Sequence, residues 1–478
     1  MSSAEHNQDE GGAAPLRHYG RDLTTGSVPR HLVAFSLPML AGSALQVSHS
    51  FVNAVWVGRF ISEDALAAVT LSQPIIFIVI ASAAGLMMAP NILVAQDAGA
   101  RDWERLQRVV QTSYALFGAL SFVMLTLGLW NVEGLLRLLN APDDVFAMAV
   151  QYLRVVLWTL PFSFWLFLIG SMLRGIGDSK TPVYFQAVAV LINAVLDPLL
   201  IFGLAGLPRL GLIGTAWATL ISQGIAVAGL LIYIAKKRQL VNPHWRRLRI
   251  DAATAGLLLR IGLPSAVQQS VVSVSLFGLT RFVAAFGADA IAAFGIGMRI
   301  DGVAFLPALT MGMATATLSG QNLGARQFGR VHEVFRWGML MSGGISLLIS
   351  LGAVSFPEVL MRIFTPEPAV IALGSQYLRI VGLNYALYAV MFVSNGVING
   401  AGHTLITTII SVIALLGVRL PLAWYLGQRL DSTTGIWYGM LASVGVGMLI
   451  SLGYYATGAW KTPITNIRWF RWRAEDGR

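Results

Sequence analysis

Cysteine is absent from all 478 residues, which excludes disulfides, thiol nucleophiles and cysteine-bound metals. Charge is scarce as well. Asp, Glu, Lys and Arg make up 12% of the chain, against about 25% in soluble domains. With 56% hydrophobic residues and a mean hydropathy of +0.68, the chain could not cover a water-facing surface. Long apolar runs recur from end to end, the pattern of a polytopic helical membrane protein. The polar N-terminal stretch holds no apolar core of a secretory signal. Residues 1–31 are expected to be a disordered cytoplasmic tail.

Chemical motifs are also missing. There is no HExxH, no phosphate-binding P-loop and no metal cluster with credible spacing, so no metallohydrolase or ATP-driven pump is read here. GIGD at 175–178 fits the GxGD string of intramembrane aspartyl proteases, but the YD that such enzymes need in a neighbouring span does not occur. Asp178 instead sits at a loop beside Ser179, Lys180 and Pro182. The chain is therefore read as a non-enzyme. Its net charge of +10 lies in short loops between spans, which points to membrane topology rather than nucleic acid.

Spans are expected at about 32–57, 65–95, 107–130, 148–172, 181–203, 210–235, 255–283, 290–319, 333–356, 370–398, 404–427 and 434–458. Several exceed the ~20 residues that a bilayer needs, which calls for tilt or kinks. Pro38, Pro161, Pro307 and Pro421 are the candidate kink sites. With the N-terminus inside, 23 of the 33 Lys and Arg fall on the cytoplasmic side and five outside, while Arg154, Arg281, Arg299, Arg379 and Arg419 lie within spans and are assigned to neither. That bias places both termini in the cytoplasm.

The two halves repeat. QYLR at 151–154 recurs at 376–379, GIGD at 175–178 recurs as GAGH at 400–403, and VAQDAGAR at 94–101 recurs as SGQNLGAR at 319–326, all at an offset of 225. Six spans per copy make the repeat parallel. The expected fold is an all-α protein of twelve transmembrane helices, an N-lobe (32–235) and a C-lobe (255–458) around a central cleft. A cytoplasmic linker (236–254) joins the lobes, and a basic tail (459–478) follows.

LINAVLDPLLIFG at 191–203 buries an acid in an otherwise apolar span. Translocon scales put a mid-bilayer carboxylate at about 2.5–3.5 kcal/mol. Asn193 lies one turn before Asp197 on the same face, and Pro198 deprives the Ala194 carbonyl of its helical donor. Carboxylate, amide and carbonyl oxygens suit a proton or a hard cation such as Na⁺. The bland alternative is an acid paired to fix helix packing. In the first span, Gln46, His49 and Asn53 share a stripe. His49 is either a proton carrier or a neutral histidine bonded within the bundle. In the second half, Gln268, Gln269, Met298, Asp301 and Met311 are candidate cleft residues; methionines, here Met298, Met311 and Met313, suit an adaptable cavity but more often simply pack. Arg299 and Asp301 are expected to pair locally.

Together SLPMLAGSALQ…VNAVWVGR, DALAAVTLSQP, VAQDAGARD, LRGIGDSKTP, INAVLDPLLIFG, GLIGTAWAT, GLPSAVQQ and AIAAFGIGMRIDGVAFLPALTMGMATATLSGQNLGA resemble the multidrug and toxic compound extrusion (MATE) family over about residues 31–456. The resemblance implies an antiporter that exports organic, often cationic xenobiotics in exchange for H⁺ or Na⁺ by alternating access, without cofactor. It would be a monomer in a bacterial inner membrane. It also implies that Asp197 is the N-lobe acid and Asn193 its companion, with Gln46 and Thr215 further polar positions of that site. The sequence departs from the pattern at Asn53, where many members carry an acid, and Gln268, Gln269 and Tyr388 stand near places where one branch carries others. The second half looks more like the DinF-like branch. A lipid-linked oligosaccharide flippase of the same superfamily is the alternative; it would carry more cationic residues in the cleft.

Overall fold

The computed structural model describes residues 20–60, 63–139, 142–206, 208–237, 239–245 and 248–462, and among them no residue is in a β-strand. The first half holds α1 (Val28–Phe60), α2 (Glu63–Leu86), α3 (Met88–Ala100), α4 (Trp103–Leu138), α5 (Asp143–Trp158), α6 (Leu160–Gly175), α7 (Lys180–Phe202) and α8 (Leu212–Lys236). The second holds α9 (Ala252–Ala284), α10 (Ala288–Ala304), α11 (Leu306–Gly324), α12 (Phe328–Ser355), α13 (Pro357–Arg362), α14 (Pro368–Val381), α15 (Asn384–Gly400), α16 (Thr404–Ser411), α17 (Leu420–Leu430) and α18 (Thr433–Ala456). A π-helical stretch, Val412–Arg419, joins α16 to α17. Ten described helical segments are long and apolar enough to cross a bilayer, and twelve if the bent pairs α10–α11 and α14–α15 each count as one span. The fold is the expected twelve-helix, two-lobe bundle.

The repeat extends to backbone detail. Arg101 and Arg326, 225 positions apart, both take φ 58°, and Gly177 and Gly402, equally far apart, take φ 90° and 88°. A left-handed backbone at arginine is costly, so its recurrence marks one turn built twice.

Breaks follow proline only in part. α6 and α11 begin just before Pro161 and Pro307, and the π-helical stretch ends just before Pro421. α1 runs unbroken past Pro38. The α2–α3 break at Met87 was not expected. It lies three residues before Pro90, whose ring crowds the carbonyl of Leu86. Residues 20–31 depart from the disordered tail expected there, because α1 starts at Val28 and Leu23 is already buried. The linker is anchored, since Val241 O accepts from Tyr114 Oη and Leu240 O from Gln107 on α4.

Both lobes touch at the end where α1 and α9 begin and α3 and α11 finish, here called the closed end. Each lobe lends the other the start of its first helix. Leu32, Phe35 and Met39 of α1 pack with Met311, Ala314, Leu318 and Val393. Leu257, Leu258 and Ile261 of α9 pack with Leu86, Leu93 and Leu106. α3 and α11 then cross so closely that a Cβ on Gly99 would lie 1.8 Å from Gln321 O, and one on Gly324 would lie 1.9 Å from Gln96 O. The glutamines complete the contact. Gln96 Nε2 donates to Gly400 O at 2.7 Å and Gln321 Nε2 to Gly175 O at 2.8 Å. The repeated motifs therefore meet one another across the lobe boundary.

Candidate ion-binding site in the first lobe

Small residues set α7 against α8. A Cβ on Gly214 would lie 2.8 Å from the Leu200 backbone, so only glycine permits this approach. The close packing buries Asn193 and Asp197 of α7 against Thr215 and Thr219 of α8; Asn193, Asp197 and Thr215 are each 2% exposed.

The Asn193 amide is oriented by Thr219. The Thr219 backbone N–H faces Asn193 at 3.0 Å and its hydroxyl at 3.3 Å, so the amide oxygen belongs on that side. The amide nitrogen then donates to Asp197 Oδ2 at 3.1 Å and to His49 Nε2 at 2.5 Å. In this arrangement Asp197 is an acceptor and His49 is a neutral imidazole protonated on Nδ1. Asp197 Oδ1 is buried and has no hydrogen-bond partner. A buried acceptor left open is rare in folded proteins. It is the one position here where a proton or a small cation could add without displacing a protein donor. Among the described residues no group of three or more His, Asp or Glu could hold a metal ion.

The expected residues divide into three groups. Asp197, Asn193 and His49 are in one hydrogen-bonded cluster, with Thr215 a turn away from Thr219 on α8. Thr219 was missed in sequence, although it stands at i+4 from Thr215. Gln46 meets the same helix two turns before Asn193, where its Oε1 accepts from Gln186 Nε2 at 2.5 Å. The side chain of Asn53 lies outside the described residues.

The second-lobe candidates do not converge. Met311 is 4% exposed and packs beneath α1, so it is core. Met298 packs against the cluster around Phe294 and Tyr377. Gln268 donates to Thr407 O and Ser411 Oγ inside its own lobe. Gln269 and Met313 are exposed. The expected Arg299–Asp301 pair does not form: Arg299 is exposed, while Asp301 is buried and accepts from Tyr377 Oη at 2.5 Å and Tyr385 Oη at 2.6 Å. Residues two apart on a helix point to different faces. The buried basic residue of this region is Arg419, at the end of the π-helical stretch, whose Nε donates to Ser443 Oγ and whose Nη2 donates to Tyr388 Oη. Tyr377→Phe strips Asp301 Oδ2 of its donor inside the lobe. It is expected to lower stability by about 1.5–3 kcal/mol, read as a lower melting temperature of the purified protein.

The MatE family model matches residues 38–199 and again residues 264–425. The chain belongs to the MatE family. It is 32% identical over 445 residues to "Probable multidrug resistance protein YoeA" of Bacillus subtilis, covering 92% of this chain and 96% of that one. It is 28% identical over 444 residues to "Probable multidrug resistance protein NorM" of Thermotoga maritima, covering 91% and 93%. Among solved structures, one titled "Outward-facing conformation of a multidrug resistance MATE family transporter of the MOP superfamily" superimposes with a TM-score of 0.85 at 24% identity, over 93% of this chain and 99% of that one. The two matched segments of this MatE protein are the two copies seen in its motifs. It is a multi-pass membrane protein.

Proposed function

We propose that this MatE protein is a secondary multidrug exporter of the bacterial plasma membrane. It would drive organic, often cationic compounds outward in exchange for H⁺ or Na⁺ bound at Asp197. The observation that carries this reading is the open Oδ1 of a buried carboxylate, held beside a helix that serves both lobes. α1 brings His49 to the site, while Leu32, Phe35 and Met39 of the same helix are embedded in the second lobe. Ion occupancy at Asp197 therefore acts on α1, and α1 acts on how the lobes meet. An ion shifts such an equilibrium by its difference in affinity for the two arrangements. With the termini in the cytoplasm, the closed end faces inward, and a coupling ion would reach Asp197 from the outer side. The oxygens of Asp197, Asn193 and Thr219 also suit Na⁺, which would travel as cargo of the cycle.

The test is drug-driven ion flux in proteoliposomes carrying an internal pH dye, with ethidium added and Na⁺ varied. Proton movement that requires drug but not Na⁺ establishes H⁺ exchange. Flux that requires Na⁺ assigns a cation to the same oxygens. No drug-coupled flux of either ion overturns the reading and directs attention to lipid-linked substrates. His49→Ala removes the acceptor of the Asn193 amide. It is expected to slow coupled flux about tenfold, the effect of one buried hydrogen bond of ~1.4 kcal/mol. An unchanged rate in that variant makes His49 a packing residue.

A further inference from the structure

Residues 20–27 precede α1 and lie across the seam between the lobes at the closed end. On the first lobe, Gly20 abuts the Ile176 backbone, and Arg21 O sits 2.3 Å from where a Cβ on Gly177 would be. Asp22 pairs with Arg101 at 3.5 Å. The same carboxylate accepts from the Thr24 backbone N–H and hydroxyl, which turns the segment towards the other lobe. There, Leu23 N donates to Gln321 Oε1 at 3.0 Å, and Leu23 O accepts from Asn322 Nδ2 at 3.3 Å. The Arg330 guanidinium donates to Gly26 O at 3.0 Å and Leu23 O at 3.4 Å. The Leu23 side chain, 1% exposed, joins the cluster of Leu32, Leu318 and Val334.

The internal repeat shows what is special about this contact. Asn322 and Arg330 stand 225 positions after Asp97 and Arg105. In the first lobe that pair closes on itself as an ion pair at 3.3 Å. In the second lobe an amide replaces the acid. Asn322 Oδ1 accepts from Arg330 Nε at 3.1 Å but leaves the guanidinium charge uncancelled. That charge is directed at backbone carbonyls of residues 20–27, where charge-assisted bonds are the strong ones.

We propose that residues 20–27 form a strap latching the two lobes together at the closed end, with Arg330 and Asn322 as its catch. Opening this end for the other half of the transport cycle requires the strap to leave one lobe. This rests on the two-lobe arrangement and not on the substrate or ion.

Because the chain lacks cysteine, the test uses the full-length protein with one introduced thiol, Thr317→Cys, read by a membrane-impermeant maleimide on purified, monodisperse protein. Thr317 is 2% exposed at the seam, where its hydroxyl donates to Asn91 Oδ1 of the other lobe. Arg330→Gln is expected to raise the labelling rate about tenfold, the population change that follows loss of one charge-assisted bond. Asp22→Ala, on the exposed rim where the core is not at risk, should raise it in the same direction by less. Arg105→Gln, which touches only the first lobe's pair, should leave it unchanged. Equal labelling in Arg330→Gln, Asp22→Ala and the parent overturns the latch. An equal rise in Arg105→Gln also overturns it, by showing general loosening.

Discussion

Asp197→Asn is expected to reduce drug-coupled ion flux to background while the protein inserts, folds and purifies normally. The substitution is nearly isosteric, and its amide can still meet the Asn193 side chain. What it removes is the charge and the ability to take up a proton at Oδ1, the atom that the structure leaves open. A group that binds no ion has no differential affinity with which to shift the lobes. Stability should move the other way. A neutral side chain in the span avoids a mid-bilayer cost of about 2.5–3.5 kcal/mol, so the melting temperature should hold or rise. The two readouts together separate a coupling defect from a folding defect. Parental flux in the reconstituted variant would remove Asp197 from the mechanism.

Gly99→Ala and Gly324→Ala should each cut efflux at least tenfold, although alanine is the better helix former by about 1 kcal/mol. The new Cβ would fall 1.8 Å from Gln321 O or 1.9 Å from Gln96 O, and both obstacles are backbone atoms of the opposite lobe. Neither can swing aside as a flexible side chain could. The lobes must separate, and the glutamine bonds to Gly400 and Gly175 lengthen with them. Gly134→Ala on α4 is the control, because nothing lies within 4 Å of its Cβ. Ethidium efflux from cells, normalised to the amount of protein in the membrane, reads the effect. Equal efflux in Gly99→Ala and Gly134→Ala would show that tight closure at this end is not needed for transport.

The span pattern and the repeat were legible in the sequence because a bilayer demands long apolar helices and a duplication leaves a fixed offset. Asp197 stood out for the same reason, as an ionisable group where charge is costly. The meaning of the repeated strings was not legible. An offset of 225 says that QDAGAR and QNLGAR are equivalent, not that they touch. Their contact depends on the crossing of α3 and α11, which residue spacing along one helix does not contain. Asp301 shows the opposite difficulty. Arg299 was its nearest charge in sequence, but the partners it found, Tyr377 and Tyr385, lie on α14 and α15. Met311 reads as cleft because soft residues near mid-span suit an open surface; the start of α1 covers it instead. The break at Met87 is not legible because residues 65–95 form one continuous apolar run, within which Pro90 falls at the first turn of a second helix.

The contact at the closed end has the form of an isologous interface. Gln96 of one lobe reaches Gly400 of the other, and Gln321 reaches Gly175 in return. The same patch is used on both sides, as in a two-fold homodimer. The two halves of one chain thus meet as two copies of one subunit would, at a fixed offset of 225 residues. The linker joins surfaces that fit each other, and the contact tolerates Asp97 in one copy and Asn322 in the other. Residues 1–238 and 239–478 made as two separate chains in one cell should therefore find each other and co-purify.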